Sequence, residues 1–482
     1  MHQSQAEELR GIDQSEEIRR VYELQRANRW NMARTTAEQR IARLRRIKDA
    51  LWDRRAELHR ALFDDFGKNP GEADLTEVLP VIAEIKHAIK HLARWMKPVP
   101  VGTPTLLFGT RSEVRREAKG LVLILSPWNY PINLLFNPLV ATLAAGNTAI
   151  IKPSSKVPHT AAFIGRFFAE LFPREEVAVF EGGVAVANEL LERRFDHIFF
   201  TGSPRIGKVV MAAAARHLTP VTLELGGKSP VIVDSAADVQ KAAERVMWGK
   251  FLNAGQTCVA PDYLLIHEDR LQPFLTEARA VLERRYGATS EERRQSGSFC
   301  RVVSRQSHQW LERLLEVSVA RGAQVAFGGG SDPEQRYLEP TLLTDVEWDS
   351  PIMEEEIFGP ILPILTYRDL DRALAEIRAR EKPLALYVFS EDQKAIERVL
   401  SNTTAGGTCV NSMVIHLANP NLPFGGVGQS GMGNYHGEFG FRNLSHERAV
   451  LRQGRIDVLR LFYPPYTSRV KQVIEKAARF LT

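Results

Sequence analysis

A chain of 482 residues is long enough for two or three domains with buried cores. Its 44% hydrophobic and 25% charged residues are ordinary for a globular protein, and 63 basic against 58 acidic side chains leave a net charge of +5 without any like-charge block, which argues against a nucleic-acid partner. Three cysteines (Cys258, Cys300, Cys409) are too few for a disulfide framework, and twelve histidines show neither an H-E-x-x-H pair nor a zinc-like Cys/His spacing, so no metal is expected.

In chain order, the first hundred residues are predicted to be helical. Thr36 with Gln39 forms a capping-box pattern, and Ile41, Leu44, Ile47, Leu51, Leu58, Leu62 and Phe66 follow at helical spacing up to Gly67 and Pro70. A second amphipathic run covers 74–97, and PVPVGTPTLLFGT reads as an extended linker or edge hairpin. From 111 short apolar strands alternate with helices: GLVLILSP, NTAIIKPSS, AVFEGG, DHIFFTGS and PVTLELGG, with VAVANELLERR and KVVMAAAARHL among the helices. This order predicts a parallel sheet covered on both faces, with ligands beyond the C-terminal strand ends. After Gly227 a second series begins with SPVIVDS, a helix over 236–252 and CVAPDYLLIHE, and runs to about 415. The run 121–136 is broken by prolines and is too short for a bilayer, so no membrane span is expected. With a polar N-terminus and reduced cysteines, the expected location is cytoplasmic.

Cys258, in NAGQTCVAP, has small polar flanks, with Gly255 as the predicted stop of the 236–252 helix. Cys300 and Cys409 sit in strand-like settings that suit buried thiols. Glu224 alternates with Val221, Leu223 and Leu225 and so faces away from them at a strand end, either as a surface residue or as a general base. Asn129, fixed between Pro127 and Pro131, carries an amide that can donate to an oxyanion, worth about 3 kcal/mol in comparable sites. A thiol, a carboxylate and a fixed amide at strand ends describe acyl chemistry through a thioester. GVGQSG (426–431) matches a dinucleotide fingerprint by letter, but Pro420 and Pro423 before it and further glycines after it argue against a strand–turn–helix.

SPWNYP (126–131), IIKPSS (150–155), FTGSPRIGK (200–208), LELGGKSP (223–230), NAGQTCVAPDY (253–263), EEEIFGPILP (354–363) and LPFGGVGQSGMGNYHG (422–437) occur together and in order. In this the chain resembles the aldehyde dehydrogenase superfamily over nearly its whole length, and its finer features resemble the class 3 branch. The resemblance implies an α/β fold with two doubly wound, Rossmann-like parallel-sheet domains and a small oligomerisation hairpin with a C-terminal segment. Residues 1–224 would bind cofactor, with about 98–117 in the oligomerisation element. Residues 225–415 would form the catalytic domain, and 416–482 would return to the cofactor domain and supply an oligomerisation or gate segment. The implied partners are a small-molecule aldehyde and a second copy in a homodimer.

The resemblance also implies roles. Cys258 is the nucleophile, Asn129 with the Cys258 N–H is the oxyanion hole, and Glu224 activates water to hydrolyse the thioester. Lys152 meets the adenosine ribose, Gly202, Ser203 and Gly207 lie under the pyrophosphate, Leu225 adjoins them, and Glu356 and Phe358 position the nicotinamide. Tyr130, Trp248, Thr257 and His436 line the substrate pocket, for aromatic or medium-to-long aliphatic aldehydes. Many relatives carry Glu where this chain has Ser155, so NADP is expected to serve at least as well as NAD, with Lys152 and Lys156 attracting a 2′-phosphate. Alternatives are a CoA-acylating relative, which typically lacks the carboxylate of Glu224; an inactive structural relative, which would lose Cys258, Asn129 or Glu224; and a simple esterase, which leaves the cofactor residues unexplained. GVGQSG is then expected to pack near the substrate entrance, with Tyr435 and His436, rather than to hold phosphate.

Overall fold

The computed structural model describes residues 2–481, with side chains over 14–479. Residues 2–95 are mostly helical. The helix His2–Ala33 sets Ile18, Val21 and Tyr22 against the first sheet. Thr36 and Gln39 close the expected capping box on Ala37–Asp53. The single amphipathic run expected up to Phe66 divides at Arg54, and Arg55–Phe66 ends on left-handed Gly67 (φ 63°). The next run is likewise divided: a wide turn at Asp74–Val78 precedes the helix Leu79–Trp95. Strands β1 (Val99–Val101) and β2 (Thr110–Ala118) pair antiparallel, so of the two readings of this stretch, extended linker or edge hairpin, the structure has the hairpin.

Five parallel strands follow: β3 (Leu121–Leu125), β4 (Thr148–Lys152), β5 (Val177–Val179), β6 (His197–Thr201) and β7 (Val221–Glu224). Leu121, Leu123 and Leu125 of β3 pack on one face and Val122 and Ile124 on the other, as a strand covered on both sides requires. The second series comprises β8 (Pro230–Val233), β9 (Tyr263–His267), β10 (Gln324–Phe327), β11 (Ser331–Asp332), β12 (Tyr337–Leu338), β13 (Thr341–Thr344), β14 (Ile361–Tyr367), β15 (Ala385–Phe389) and β16 (Gly407–Val410). It forms a seven-stranded sheet, β10-β13-β14-β9-β8-β15-β16, with β11 and β12 as a separate hairpin.

The last strands return to earlier elements. β17 (Gly431–Met432) adds antiparallel to the first sheet, giving the order β17-β7-β6-β3-β4-β5, and β18 (Ser445–Gln453) pairs with β2. In the first sheet the chain steps from β3 through β4 to β5, then returns to the other side of β3 as β6. The crevice above β3 and β6 is thus the topological switch point, where doubly wound sheets hold ligands. No helix among the described residues is long and apolar enough to cross a membrane.

Candidate active site

Three loops meet at the strand ends. The first follows β3 and carries Trp128, Asn129 and Tyr130. It is braced from behind, because the N–H groups of Ile132 and Asn133 donate to Glu77 at 3.1 and 2.9 Å.

The second loop follows the helix Val239–Phe251, on which Trp248 is half-buried. The helix stops one residue before the end expected from sequence, and the chain turns left-handed through Asn253, Ala254 and Gly255 (φ 53°, 52° and 75°). A Cβ on Gly255 would stand 2.2 Å from the Gly359 carbonyl oxygen, so only glycine fits. Asn253 donates to the carbonyls of Asn129 and Gln256, both at 3.0 Å, and Asn129 donates to the Gln256 carbonyl at 3.1 Å. That uses one of the two Asn129 amide hydrogens and leaves the other for a ligand. Thr257 meets the Tyr130 hydroxyl at 2.6 Å, which joins two of the substrate-pocket candidates directly. Cys258 follows, partly exposed, whereas Cys300 and Cys409 are buried. Cys409 lies on β16 as expected, but Cys300 sits in an irregular segment: Val302, two residues on, donates its N–H to the Arg336 carbonyl rather than to a strand neighbour.

The third loop follows β7. Glu224 is 3% exposed, and neither carboxylate oxygen has a hydrogen-bond partner among the described residues. It faces away from Leu223 and Leu225, as the alternation predicts. Burial pushes its carboxyl well above the usual range. The Cys258 thiol is also pushed up, first by burial and then by the negative charges of Glu356 and Glu224, while the backbone N–H groups of Cys258 and Val259 favour the thiolate. Backbone contacts bring their loops together: Glu356 lies over Gly226, two residues beyond Glu224, and Asp262, four residues beyond Cys258, donates its N–H to the Ser229 carbonyl at 2.8 Å.

The cofactor candidates surround the switch point. Lys152 ends β4; burial lowers its ammonium, whose single hydrogen bond, to the Pro153 carbonyl at 3.1 Å, leaves two donors spare. Ser155 is exposed. Gly202 follows β6 and donates to the Glu224 carbonyl at 3.0 Å. Ser203 precedes the helix Pro204–Ala215 without capping it, so the first-turn N–H groups remain open to an anion. Within that helix Gly207 lets Leu225 approach, since a Cβ there would be 2.8 Å from Leu225 Cδ2. Glu356 lies over Gly226, where a Cβ would meet its Oε2 at 1.9 Å. Burial first, and Asp262 next, raise its carboxyl to about 8. Phe358 adopts φ 50° and packs edge-on against Trp128 at 5.3 Å, and Lys156 Nζ lies 5.6 Å from the same ring. A spare ammonium, an uncapped helix start and a glycine-lined approach fit an anionic dinucleotide.

His436 is fixed by its own contacts. Its Nδ1 is 3.3 Å from Glu84, and its ring stacks on Tyr435 at 4.3 Å. GVGQSG has no parallel strand before it and no helix opening on it. Instead Gly431 pairs with Glu224, and Leu225 donates to the Ser430 carbonyl at 3.0 Å.

Sequence reading missed Asn253, Gln256, Glu77 and Glu84. Asn253 carries a signal, because Asn before Ala-Gly tolerates a left-handed turn. Glu77 and Glu84 look like solvent-facing helix residues until the fold buries them.

Residues 7–450 match the model of a family described as the aldehyde dehydrogenase family. The 4,4'-diaponeurosporen-aldehyde dehydrogenase of Staphylococcus aureus is 46% identical over 434 residues, covering 90% of this chain and 93% of that protein. Human aldehyde dehydrogenase family 3 member B1 is 44% identical, covering 90% and 91%. A solved structure described as the substrate-bound state of Staphylococcus aureus AldH superposes with a TM-score of 0.91 at 44% identity, covering 95% and 99%.

Proposed function

Since the chain belongs to the aldehyde dehydrogenase family and oxidises aldehydes to carboxylic acids with NAD or NADP, we propose that Cys258 is the nucleophile, Asn129 the oxyanion donor and Glu224 the base for hydrolysis. The observation that carries this reading is Glu224: a buried carboxylate whose two oxygens have no partner among the described residues, at the end of a strand whose following loop is joined to the Cys258 loop by the Asp262 N–H and the Ser229 carbonyl.

The Cys258 thiol releases its proton to water as its sulfur adds to the aldehyde carbon, forming a C–S bond and turning the carbonyl oxygen into a thiohemiacetal alkoxide. The spare Asn129 amide hydrogen and the Cys258 N–H receive that alkoxide. A nicotinamide held by Glu356 and Phe358 would supply the hydride acceptor that makes the step an oxidation. Cys258 then carries a thioester. Glu224, made more basic by burial, removes a proton from water as its oxygen adds to the thioester carbonyl. The C–S bond breaks, the carboxylic acid leaves, and the proton returns to the thiol.

For the cofactor, Lys152 would meet the adenosine ribose, Gly202, Ser203 and Gly207 the pyrophosphate beside Leu225, and Glu356 and Phe358 the nicotinamide half. Exposed Ser155 supports use of NADP at least as well as NAD, because it offers no carboxylate to repel a 2′-phosphate. Tyr130, Thr257, Trp248 and His436 would line the substrate side for aromatic or medium-to-long aliphatic aldehydes; the S. aureus relative is named for 4,4'-diaponeurosporen-aldehyde. We assign 1–224 and the returning strand β17 to cofactor binding and 225–415 to catalysis. A homodimer would use the sheet β1-β2-β18, whose Val99, Val101 and Leu451 are exposed, together with the C-terminal helix Ser468–Leu481. The cytoplasm is the proposed location.

A panel of aldehydes, followed by absorbance of reduced nicotinamide with each cofactor, tests the assignment. Cys258→Ala is expected to abolish turnover; undiminished turnover would sink it.

A further inference from the structure

The segment that carries Glu356 and Phe358 has no regular secondary structure between Glu354 and Pro360, and Phe358 sits at a positive φ unusual for a bulky side chain. Its position must therefore come from outside its own backbone. Lys228 and Asp262 supply it. The Lys228 ammonium, 11% exposed, donates to Asp262, to the Ile352 carbonyl at 2.8 Å and to the Glu355 carbonyl at 2.9 Å, so all three hydrogens are used. The other Asp262 oxygen accepts the Ile357 N–H at 2.9 Å. The peptide units on the two sides of Glu356 are thus each held by one member of a single buried ion pair.

The pair is also tied to the other two loops. Lys228 is four residues beyond Glu224 and Asp262 four beyond Cys258, and the Asp262 N–H donates to the Ser229 carbonyl at 2.8 Å. We infer that Lys228 and Asp262 are positioning residues that set the Glu356–Phe358 segment against the Glu224 and Cys258 loops, and so govern cofactor placement and the hydride step rather than thiol reactivity. This rests on the reading that Glu356 and Phe358 meet the nicotinamide half.

Removing one partner alone would leave a buried charge uncompensated, a folding cost unrelated to the inference. The test therefore uses the charge-neutral pair Lys228→Met/Asp262→Asn in the full-length protein, with Glu356→Gln alongside. Three quantities are read: KM for NAD and NADP, the deuterium isotope effect on oxidation of a 1-deuterated aldehyde, and cofactor-independent hydrolysis of p-nitrophenyl acetate. The double variant is expected to raise the cofactor KM about tenfold or more and to expose an isotope effect, with ester hydrolysis kept within about twofold. Ester hydrolysis falling in parallel with oxidation would overturn the inference, because the pair would then be a general structural support. An unchanged cofactor KM and isotope effect, with Glu356→Gln impaired, would overturn it alone. An unimpaired Glu356→Gln would overturn the reading of the segment and the inference with it.

Discussion

Gly431 stands opposite Glu224 in the register of β17 and β7. Its φ is 150°, and a Cβ there would lie 2.3 Å from the Leu223 carbonyl oxygen. The C-terminal glycine cluster is therefore the outer neighbour of the strand that ends in the proposed base. Gly431→Ala is expected to push this edge away, at a cost of about 1–3 kcal/mol. A lower Tm, with a larger loss of aldehyde oxidation than of cofactor affinity, checks it.

Glu224→Gln separates the two halves of the reaction. It keeps the shape but cannot take a proton from water, so acylation proceeds and hydrolysis stalls. Stopped-flow absorbance should show a burst of about one reduced nicotinamide per active site, then a steady rate lower by about 100-fold or more. Linear progress without a burst would remove Glu224 from the hydrolytic step.

Asn129→Ala removes the spare amide donor and also its bond to the Gln256 carbonyl. The expected loss in kcat is about 100- to 1,000-fold, with a much smaller change in cofactor KM. A KM effect alone would make Asn129 a scaffold residue.

Ser155→Glu restores a carboxylate beside Lys152. It is expected to shift the ratio of kcat/KM for NADP to that for NAD downward by about tenfold or more. In the unmodified protein, kcat/KM with NADP more than about tenfold below that with NAD would end the case for NADP.

Glu356 predicts a pH dependence of stability. Burial raises its carboxyl from 4.5 to about 8. The folded state thus holds a proton that the unfolded chain has already released, so its contribution is full below the unfolded value and is lost as pH rises through about 8. Lys250 has the opposite sign and a different window: burial lowers it from 10.5 to about 8, so its contribution declines only as pH falls from the alkaline side. Between the ordinary carboxylate range and about pH 8 the unfolding midpoint of Glu356→Gln should gain steadily on that of the wild type. A constant difference across that range would contradict the assignment.

Much of the architecture is legible in local sequence because local physics decides it. The β3 run LVLIL is buried on both faces, the Thr36–Gln39 cap forms, and the strand alternation correctly turns Glu224 away from Leu223 and Leu225. The breaks at Arg54 and at Asp74–Val78 were not legible, since helical periodicity continues through both; at Arg54 the two halves pack on different neighbours, Ala37–Asp53 on the helices Leu79–Trp95 and Asn133–Ala145 and Arg55–Phe66 on the helix Pro158–Leu171.

The sequence by itself determined the chemistry on offer: one thiol on a small-residue turn, one carboxylate at a strand end and one amide between prolines, in the order of a known family. Only the tertiary structure decided how they are held. Asn253 and Asn129 share carbonyls across 124 residues, Lys228 and Asp262 clamp a segment about a hundred residues further on, and Gly431 closes β7 from the far end of the chain. Such contacts depend on which strand ends become neighbours, and spacing along a chain does not encode that. GVGQSG shows the difference most plainly. Its letters match a phosphate-binding turn, but the sheet places it at an edge, where glycine serves close backbone contact with the strand of Glu224.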